Sequence, residues 1–398
     1  MANILGINID GKGKAEALSA ISAFYLSGNS HLIVTPNPEI ILSADEDEEL
    51  FYILNQAELS LADGFGLQIA ALLSRQPLSR LTGADLLPEL LQDAENNNRK
   101  VLVINRRDGL SSAQDILSAL HKRFPNLQAT VLDIDRKDHP SQKEATLIKE
   151  QEPDLAICTF GAPFQEKYLF HLRAALGKLP VSAGLGGAFD FLTGRVSRAP
   201  LIFRRLGIEW LWRLIQQPSR LKRIYRATVV FGWQLIRWLY ILPNKYRPNV
   251  AILLFKQESG EKFIFTVERQ GEPGHWQLPQ GGLDDLSLEQ AGEKELREES
   301  GASSFSIIAS LPDLYKYDFD KESGKYANPR KQRHFGYKGQ AQGLLICRFN
   351  GEDGEFNIKH WDHMAWRWVK ESELVASLHP CRREAAAIYL NKLKEVKL

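Results

Sequence analysis

The sequence predicts an α/β protein built as two successive units, and three observations carry that reading. Strand-like and helix-like runs alternate through the first two hundred residues, a new pattern of strands and one Glu-rich helix opens at Tyr246, and a basic, Trp-rich stretch unlike either lies between them. At 398 residues the chain is too long for one ordinary domain and long enough for two, each with its own core. Charged residues at 25% and hydrophobic residues at 44% are the balance of a globular protein, and a net charge of +1 argues neither for nor against nucleic acid. The cysteines, Cys158, Cys347 and Cys381, are far apart, odd in number and without ligand spacing. They fit a reducing compartment and imply neither a disulfide framework nor zinc. The start, MANILGINIDGKGKAEAL, lacks the charged beginning and apolar run of a signal peptide, so a cytoplasmic protein is expected.

In the first unit, SHLIVT (30–35), KVLVI (100–104), ATVLDI (129–134), DLAICT (154–159) and VSAGL (181–185) read as short buried strands. Between them lie amphipathic helices such as 15–26, with Leu18, Ile21 and Tyr25 on one face. This alternation implies a Rossmann-like parallel sheet with helices on both sides, in which ligands bind beyond the carboxyl ends of the strands. The residues that follow each strand are therefore the candidates. Thr35-Pro36-Asn37-Pro38-Glu39 is a turn fixed by two prolines, and Ala62-Asp63-Gly64-Phe65-Gly66 sets an Asp beside glycines that admit close backbone approach. Arg80-Leu81-Thr82-Gly83-Ala84-Asp85 places a cation and an N-cap signal before a helix. Gly161-Ala162-Pro163-Phe164-Gln165-Glu166-Lys167 and Gly186-Gly187-Ala188-Phe189-Asp190 come later. Singly each is an ordinary turn signal; their joint order is what points to a site.

That order resembles the WecG/TagA/CpsF family of bacterial glycosyltransferases. The resemblance rests on VTPNPE (34–39), LADGFG (61–66), RLTGADLLPELL (80–91), FGAPFQEK (160–167) and the long block from Gly186 to Leu221, and it spans about residues 1–240. It implies sugar transfer from a UDP-N-acetylhexosamine or UDP-hexose to an undecaprenyl-diphosphate-linked acceptor, in surface polysaccharide synthesis. Inverting transfer needs a carboxylate to take the acceptor proton and donors for the departing diphosphate. Asp63 matches the family's catalytic position and is the candidate base; Thr35, Asn37 and Gln165 would hold sugar or nucleotide, and Arg80 a phosphate. Asp133-Ile134-Asp135 imitates a metal-binding DxD but reads as a strand end, and no cofactor is expected for this unit. Asn105-Arg106-Arg107-Asp108 departs from the glycine-containing turn usual in the family.

The joint, residues 201–243, is assigned to the first unit as its C-terminal helical part, with the core at 1–200 and the second unit at 244–398. Its most apolar part, 227–242, is shorter than the ~20 residues of a span and contains Gln234 and Arg237. Aromatic residues among cations suit an interfacial helix on an anionic membrane surface, hence a peripheral enzyme on the inner face of the cytoplasmic membrane. A basic helix closing over a nucleotide is the other reading.

In the second unit, VAILLF (250–255) and KFIFTV (262–267) read as a strand pair. WQLPQGG (276–282) then leads into a helix on which Glu295, Glu298 and Glu299 stand at i, i+3 and i+4 and share one face, before Gly301 stops it. Like charges so placed repel unless a cation sits among them, and hard oxygen donors suit Mg²⁺ or Mn²⁺. This loop-helix-loop resembles the Nudix box, and the flanks YRPNV and WQLPQGG are similar to the branch of RNA pyrophosphohydrolases and dinucleoside polyphosphate hydrolases. The resemblance, over about residue 245 to the C-terminus, implies an α/β/α sandwich with a mixed sheet and metal-assisted attack of water on a nucleoside-linked diphosphate. Glu295, Glu298 and Glu299 fall on its metal ligands, Glu298 also being the candidate catalytic carboxylate; Asp362 falls where a further base or ligand stands, and Arg247 near the phosphates. The box is one residue short after Gly282, Leu286 replaces an upstream Glu, and Lys294 replaces an Arg. Ala341 and Gly343 stand where the RNA branch tends to have lysines, which weakens the case for RNA. The residues do not select among NDP-sugars, dinucleoside polyphosphates and RNA 5′ ends, nor do they decide on a homo-oligomer. A bifunctional enzyme is expected; a nucleotide-sensing second domain and a decayed first domain are the competing readings.

Overall fold

The computed structural model describes residues 1–200, 202–203, 207, 209–216, 218, 221–319, 336–358 and 363–396. Its contacts divide the chain into two compact units, Met1–Ile236 and Arg237–Leu398.

The first unit opens with a hairpin that the sequence reading does not contain, β1 (Ala2–Ile4) and β2 (Ile7–Ile9), turning through Leu5 and Gly6. Helices and strands then alternate: α1 (Lys14–Ser27), β3 (His31–Val34), α2 (Pro38–Asp45), α3 (Glu48–Gln56), β4 (Leu59–Ser60), α4 (Phe65–Leu73), α5 (Gly83–Asn96), β5 (Val101–Arg106), α6 (Ala113–Arg123) and β6 (Ala129–Ile134). They continue through α7 (Gln142–Glu150), β7 (Leu155–Cys158), α8 (Phe164–Leu176), β8 (Val181–Gly184) and α9 (Ala188–Leu192). The strands form one parallel sheet in the order β4-β3-β8-β7-β5-β6. Val103, Ile157 and Ala183 pack with Leu86, Leu90, Leu91, Ile116 and Leu120 of α5 and α6. The alternate residues Leu102, Ile104, Ala156 and Cys158 are buried as well, because a parallel sheet covered on both faces has no wet side. Thr82 caps α5 by accepting from Asp85 N, as the motif predicts.

The basic stretch supplies helices at Glu209–Gln216 and Leu221–Tyr225, a π-helical turn at Arg226–Val230 and a helix at Phe231–Ile236. Among the described residues no helix is long and apolar enough to cross a membrane.

The second unit is built on β9 (Tyr246–Glu258), β10 (Glu261–Arg269), β11 (Trp276–Gln277), β12 (Gln280–Gly282), β13 (Phe305–Asp318), β14 (Gly339–Phe349) and β15 (His363–Lys370). The sheet runs β11-β10-β9-β14-β13, with β12 also on β9 and β15 also on β10. β9 and β14 are parallel and the other pairs antiparallel, so the sheet is mixed. Period-two alternation along β9 sorts its side chains between two layers. Val250, Ile252 and Leu254 pack with Ala291 and Leu296 of the Glu-rich helix (Leu288–Ser300), while Ala251, Leu253 and Phe255 share a core with Ala386, Tyr389 and Leu393 of the C-terminal helix (Arg383–Glu395). The result is the expected α/β/α sandwich.

Candidate active sites

In the first unit, three backbone bonds lace the turns that follow neighbouring strands. Leu61 N donates to Val34 O, Asp63 N to Pro36 O and Leu81 N to Ala62 O, at 2.9, 2.8 and 3.1 Å. These bonds bring the proline turn, the Asp-Gly turn and the cap of α5 to the carboxyl end of the sheet. A cavity of about 460 Å³ opens there, lined by Thr35, Asn37, Asp63, Thr82, Gln165 and the Gly186–Gly187 backbone among others. Thr35 is 6% exposed, whereas Asp63 is half-buried. Asn37 has a structural duty too, since its Oδ1 accepts from Glu39 N and Ile40 N and so caps α2.

Gln165 is 4% exposed and its amide is largely spent on the fold. Its Oε1 accepts from Gly161 N (3.1 Å) and Gly186 N (3.0 Å), which ties the loop after β7 to the loop after β8. A Cβ at Gly184 or Gly186 would come within 2.7 or 2.9 Å of this amide, which is the steric reason for glycine at both. Gln165 Nε2 donates to Glu166 Oε1 at 2.8 Å, while Glu166 Oε2 is buried without a partner. Burial pushes the Glu166 carboxyl up to about 7, against the opposing hydrogen bond from Gln165.

Arg80 does not line the cavity; its guanidinium pairs at 3.3 Å with Glu209, which does. Arg223 also lines it, in a two-pronged pair with Glu39 at 2.7 and 2.9 Å. The sequence reading of a basic helix closing over a nucleotide allowed for such a contribution but named neither Glu209 nor Arg223, because nothing local links them to the strand ends. It missed the wall built on Asn105, whose Nδ2 donates to Asp133 Oδ1 at 2.8 Å and whose Oδ1 accepts from Thr159 Oγ1 at 2.9 Å. Asp133 thus ends β6 as a hydrogen-bond acceptor for Asn105.

In the second unit, the Gly281–Gly282 pair gives the Glu-rich helix its approach. A Cβ on Gly281 would collide with the Glu295 carboxyl, and one on Gly282 with the Arg247 guanidinium. Glu295 is 5% exposed, Glu299 is half-buried with its Oε2 accepting from Gln280 N at 3.3 Å, and Glu298 is exposed. The shortened box turns through Asp284 and Asp285, both at positive φ, and Arg247 lies 4.0 Å from Asp284. Three carboxylates on one face, one of them buried in a glycine cradle, are a hard-oxygen donor set that fits a divalent cation, with Glu298 free to swing from solvent. Among the described residues their oxygens are not one of the ligand groups that lie within 4.8 Å of one another. Asp362 lies outside the described residues. The floor beside β12 is neutral: Gln342 Nε2 donates to Asn249 and Gln280, and Tyr389 donates to Gln342 Oε1.

Comparison with known proteins agrees with this division of chemistry. The model of the glycosyl transferase WecG/TagA/CpsF family matches residues 2–245, and that of the NUDIX domain matches residues 245–389. An N-acetylglucosaminyldiphosphoundecaprenol N-acetyl-beta-D-mannosaminyltransferase of Staphylococcus aureus (strain MRSA252) is 32% identical over 241 residues, 59% of this chain and 92% of its own. Its counterpart in strain MW2 is 32% identical over 240 residues, with the same shares. Among solved structures, a C. elegans Ap4A hydrolase binary complex is 15% identical, covers 37% of this chain and 98% of its own, and has a TM-score of 0.28. The NUDIX domain of Shewanella oneidensis NrtR complexed with ADP ribose is 14% identical over 38% of this chain and 90% of its own, with a TM-score of 0.28. With the first family model covering well over half of its length, the chain belongs to the WecG/TagA/CpsF glycosyltransferase family and carries a NUDIX domain after it.

Proposed function

We propose that the first unit transfers an N-acetylhexosamine from a UDP-sugar to a polyprenyl-diphosphate-linked sugar, the kind of reaction named for its S. aureus relatives. The observation that carries this reading is the gathering of Thr35, Asn37, Asp63 and Gln165 around one cavity at the strand ends. Asp63 takes the proton of the acceptor hydroxyl as it attacks the sugar carbon. Thr35 and Asn37 position sugar or nucleotide. Gln165 acts by holding the Gly161 and Gly186 loops in place, and Arg80, outside the cavity lining, acts only through its pair with Glu209. Sugar transfer to a lipid-diphosphate acceptor is the assay: Asp63→Ala lowers kcat by on the order of 10²–10⁴-fold with little change in KM, and an unchanged rate removes Asp63 as base.

The acceptor's lipid implies work at a membrane surface, and the first unit presents apolar side chains suited to one. Ile69, Leu72 and Leu73 of α4 are exposed, as are Trp210, Ile215, Tyr225 and Trp233 of the basic stretch. Arg223 and Arg226 are paired with Glu39 and Glu46 of this unit, so Lys222 and the aromatic rings are better placed for lipid contact. Flotation with anionic vesicles tests this, and failure to bind them ends the peripheral reading.

The second unit hydrolyses a nucleoside-linked diphosphate, with Glu295, Glu298 and Glu299 holding Mg²⁺ and Arg247 meeting a phosphate. The cation supplies charge neutralisation and an acidified water when bound. A panel of NDP-sugar, dinucleoside polyphosphate and 5′-triphosphate RNA decides the substrate. Hydrolysis by wild type that Glu298→Gln loses is the expected result; no hydrolysis of any member by wild type leaves a nucleotide-binding module.

A further inference from the structure

The hairpin between β10 and β11 and the turn before the C-terminal helix meet at a cluster that neither proposed activity uses. His379 N donates to Trp276 O at 3.0 Å and pins the turn to β11. His275, 8% exposed, has its Nδ1 2.6 Å from Glu272 Oε2. A carboxylate at that distance accepts the Nδ1 proton and leaves Nε2 as a lone-pair acceptor. Nε2 is buried and has no hydrogen-bond partner, a state that is destabilising when nothing fills it. On the other side of the imidazole, the His379 ring stacks on His275 with centroids 4.1 Å apart, and its Nδ1 is 3.0 Å from Cys381 Sγ. His275, His379 and Cys381 each bring one ligand atom into a group whose members all lie within 4.8 Å of one another.

We infer that His275, His379 and Cys381 form a binding site for a thiophilic divalent cation of the zinc class, with Glu272 orienting His275 from behind. Two imidazoles and a thiolate are the borderline-soft donors such an ion selects, in contrast with the all-oxygen set on the Glu-rich helix. The thiolate and Glu272 together neutralise the dication. Stacked rings aim their lone pairs along parallel lines, so closure on one ion turns the half-buried His379 ring out of the stack. The ion clips the β10–β11 hairpin to the turn that leads into the C-terminal helix.

The test uses the full chain, stripped with a chelator and titrated with Co²⁺. A thiolate-to-cobalt charge-transfer band that saturates at one ion per chain, and that Zn²⁺ displaces, is expected. Cys381→Ser removes the band with circular dichroism unchanged, and Glu272→Gln keeps it but weakens Co²⁺ binding by about 10–100-fold. Cobalt bound at the Glu-rich helix gives no sulfur band, so the two sites are told apart. No band in wild type, a band that survives Cys381→Ser, or an affinity unmoved by Glu272→Gln overturns the inference. Should Cys381→Ser fail to fold, the Glu272→Gln titration carries the decision.

Discussion

The two candidate sites solve the problem of placing charge in opposite ways. The cavity of the first unit is spread over turns that follow several strands, and many of its side chains are already engaged by the fold: Asn37 caps a helix and Gln165 ties two loops. The acidic site of the second unit is concentrated on two turns of one helix lying on a glycine pair. A distributed site is pre-organised but depends on every loop that frames it, whereas a concentrated one depends on a few carboxylates and the space left for them.

The sharpest test of that contrast is Glu295→Gln, which removes the buried charge of the concentrated site. Mg²⁺-dependent hydrolysis should fall at least about 10–100-fold, with sugar transfer by the same protein unchanged; a parallel loss in both assays would mean that the sites are not independent.

Glu166 gives a stability test with a definite sign. Its folded carboxyl titrates near 7, above its ordinary 4.5. The folded state therefore keeps a proton that the unfolded state has lost, and this unit loses stability as pH rises from 4.5 to 7, by about 3 kcal/mol in all. Glu166→Gln lacks that slope, so its melting transition should exceed that of wild type at pH 8 and match it near pH 4.5. Equal pH profiles would mean that Glu166 is not held protonated.

Gln165→Leu should cost about 1–3 kcal/mol by leaving the Gly161 and Gly186 amides unpaired, and it should lower kcat for transfer through the displaced loops, as read by denaturant melts beside the assay. The smallest effect on stability is expected for Arg223→Ala. Its pair with Glu39 is exposed and contributes at most about 1 kcal/mol. A rise in KM for the sugar donor with an unchanged melt would mark Arg223 as a ligand contact; no change in either would leave it a surface pair.

Legibility followed locality. The Glu-rich helix could be read residue by residue, since its carboxylate face and its Gly301 stop both follow from spacing within one element. The parallel sheet was legible from β-branched runs and helical periodicity, but the β1–β2 hairpin was not, because strands of three residues carry too little alternation to register. Thr35, Asn37, Asp63 and Gln165 could be named from motif order. That Arg80 turns to Glu209 and that Arg223 reaches the cavity could not, since both depend on where the basic stretch folds back.

The sequence by itself determined the two-unit α/β plan, the strand-end turns that carry the candidate site residues, and the carboxylate face of the Glu-rich helix. Periods of 2 and 3.6 and turn chemistry are properties of neighbours along the chain. Only the tertiary structure decided that Gln165 spends its amide on two glycine loops and that Glu166 is buried beside it. It also brought His275 to His379 and Cys381, where cysteine spacing alone implied no zinc. Contacts of that kind are made by side chains from distant segments, and sheet register and loop closure fix them, not local propensity.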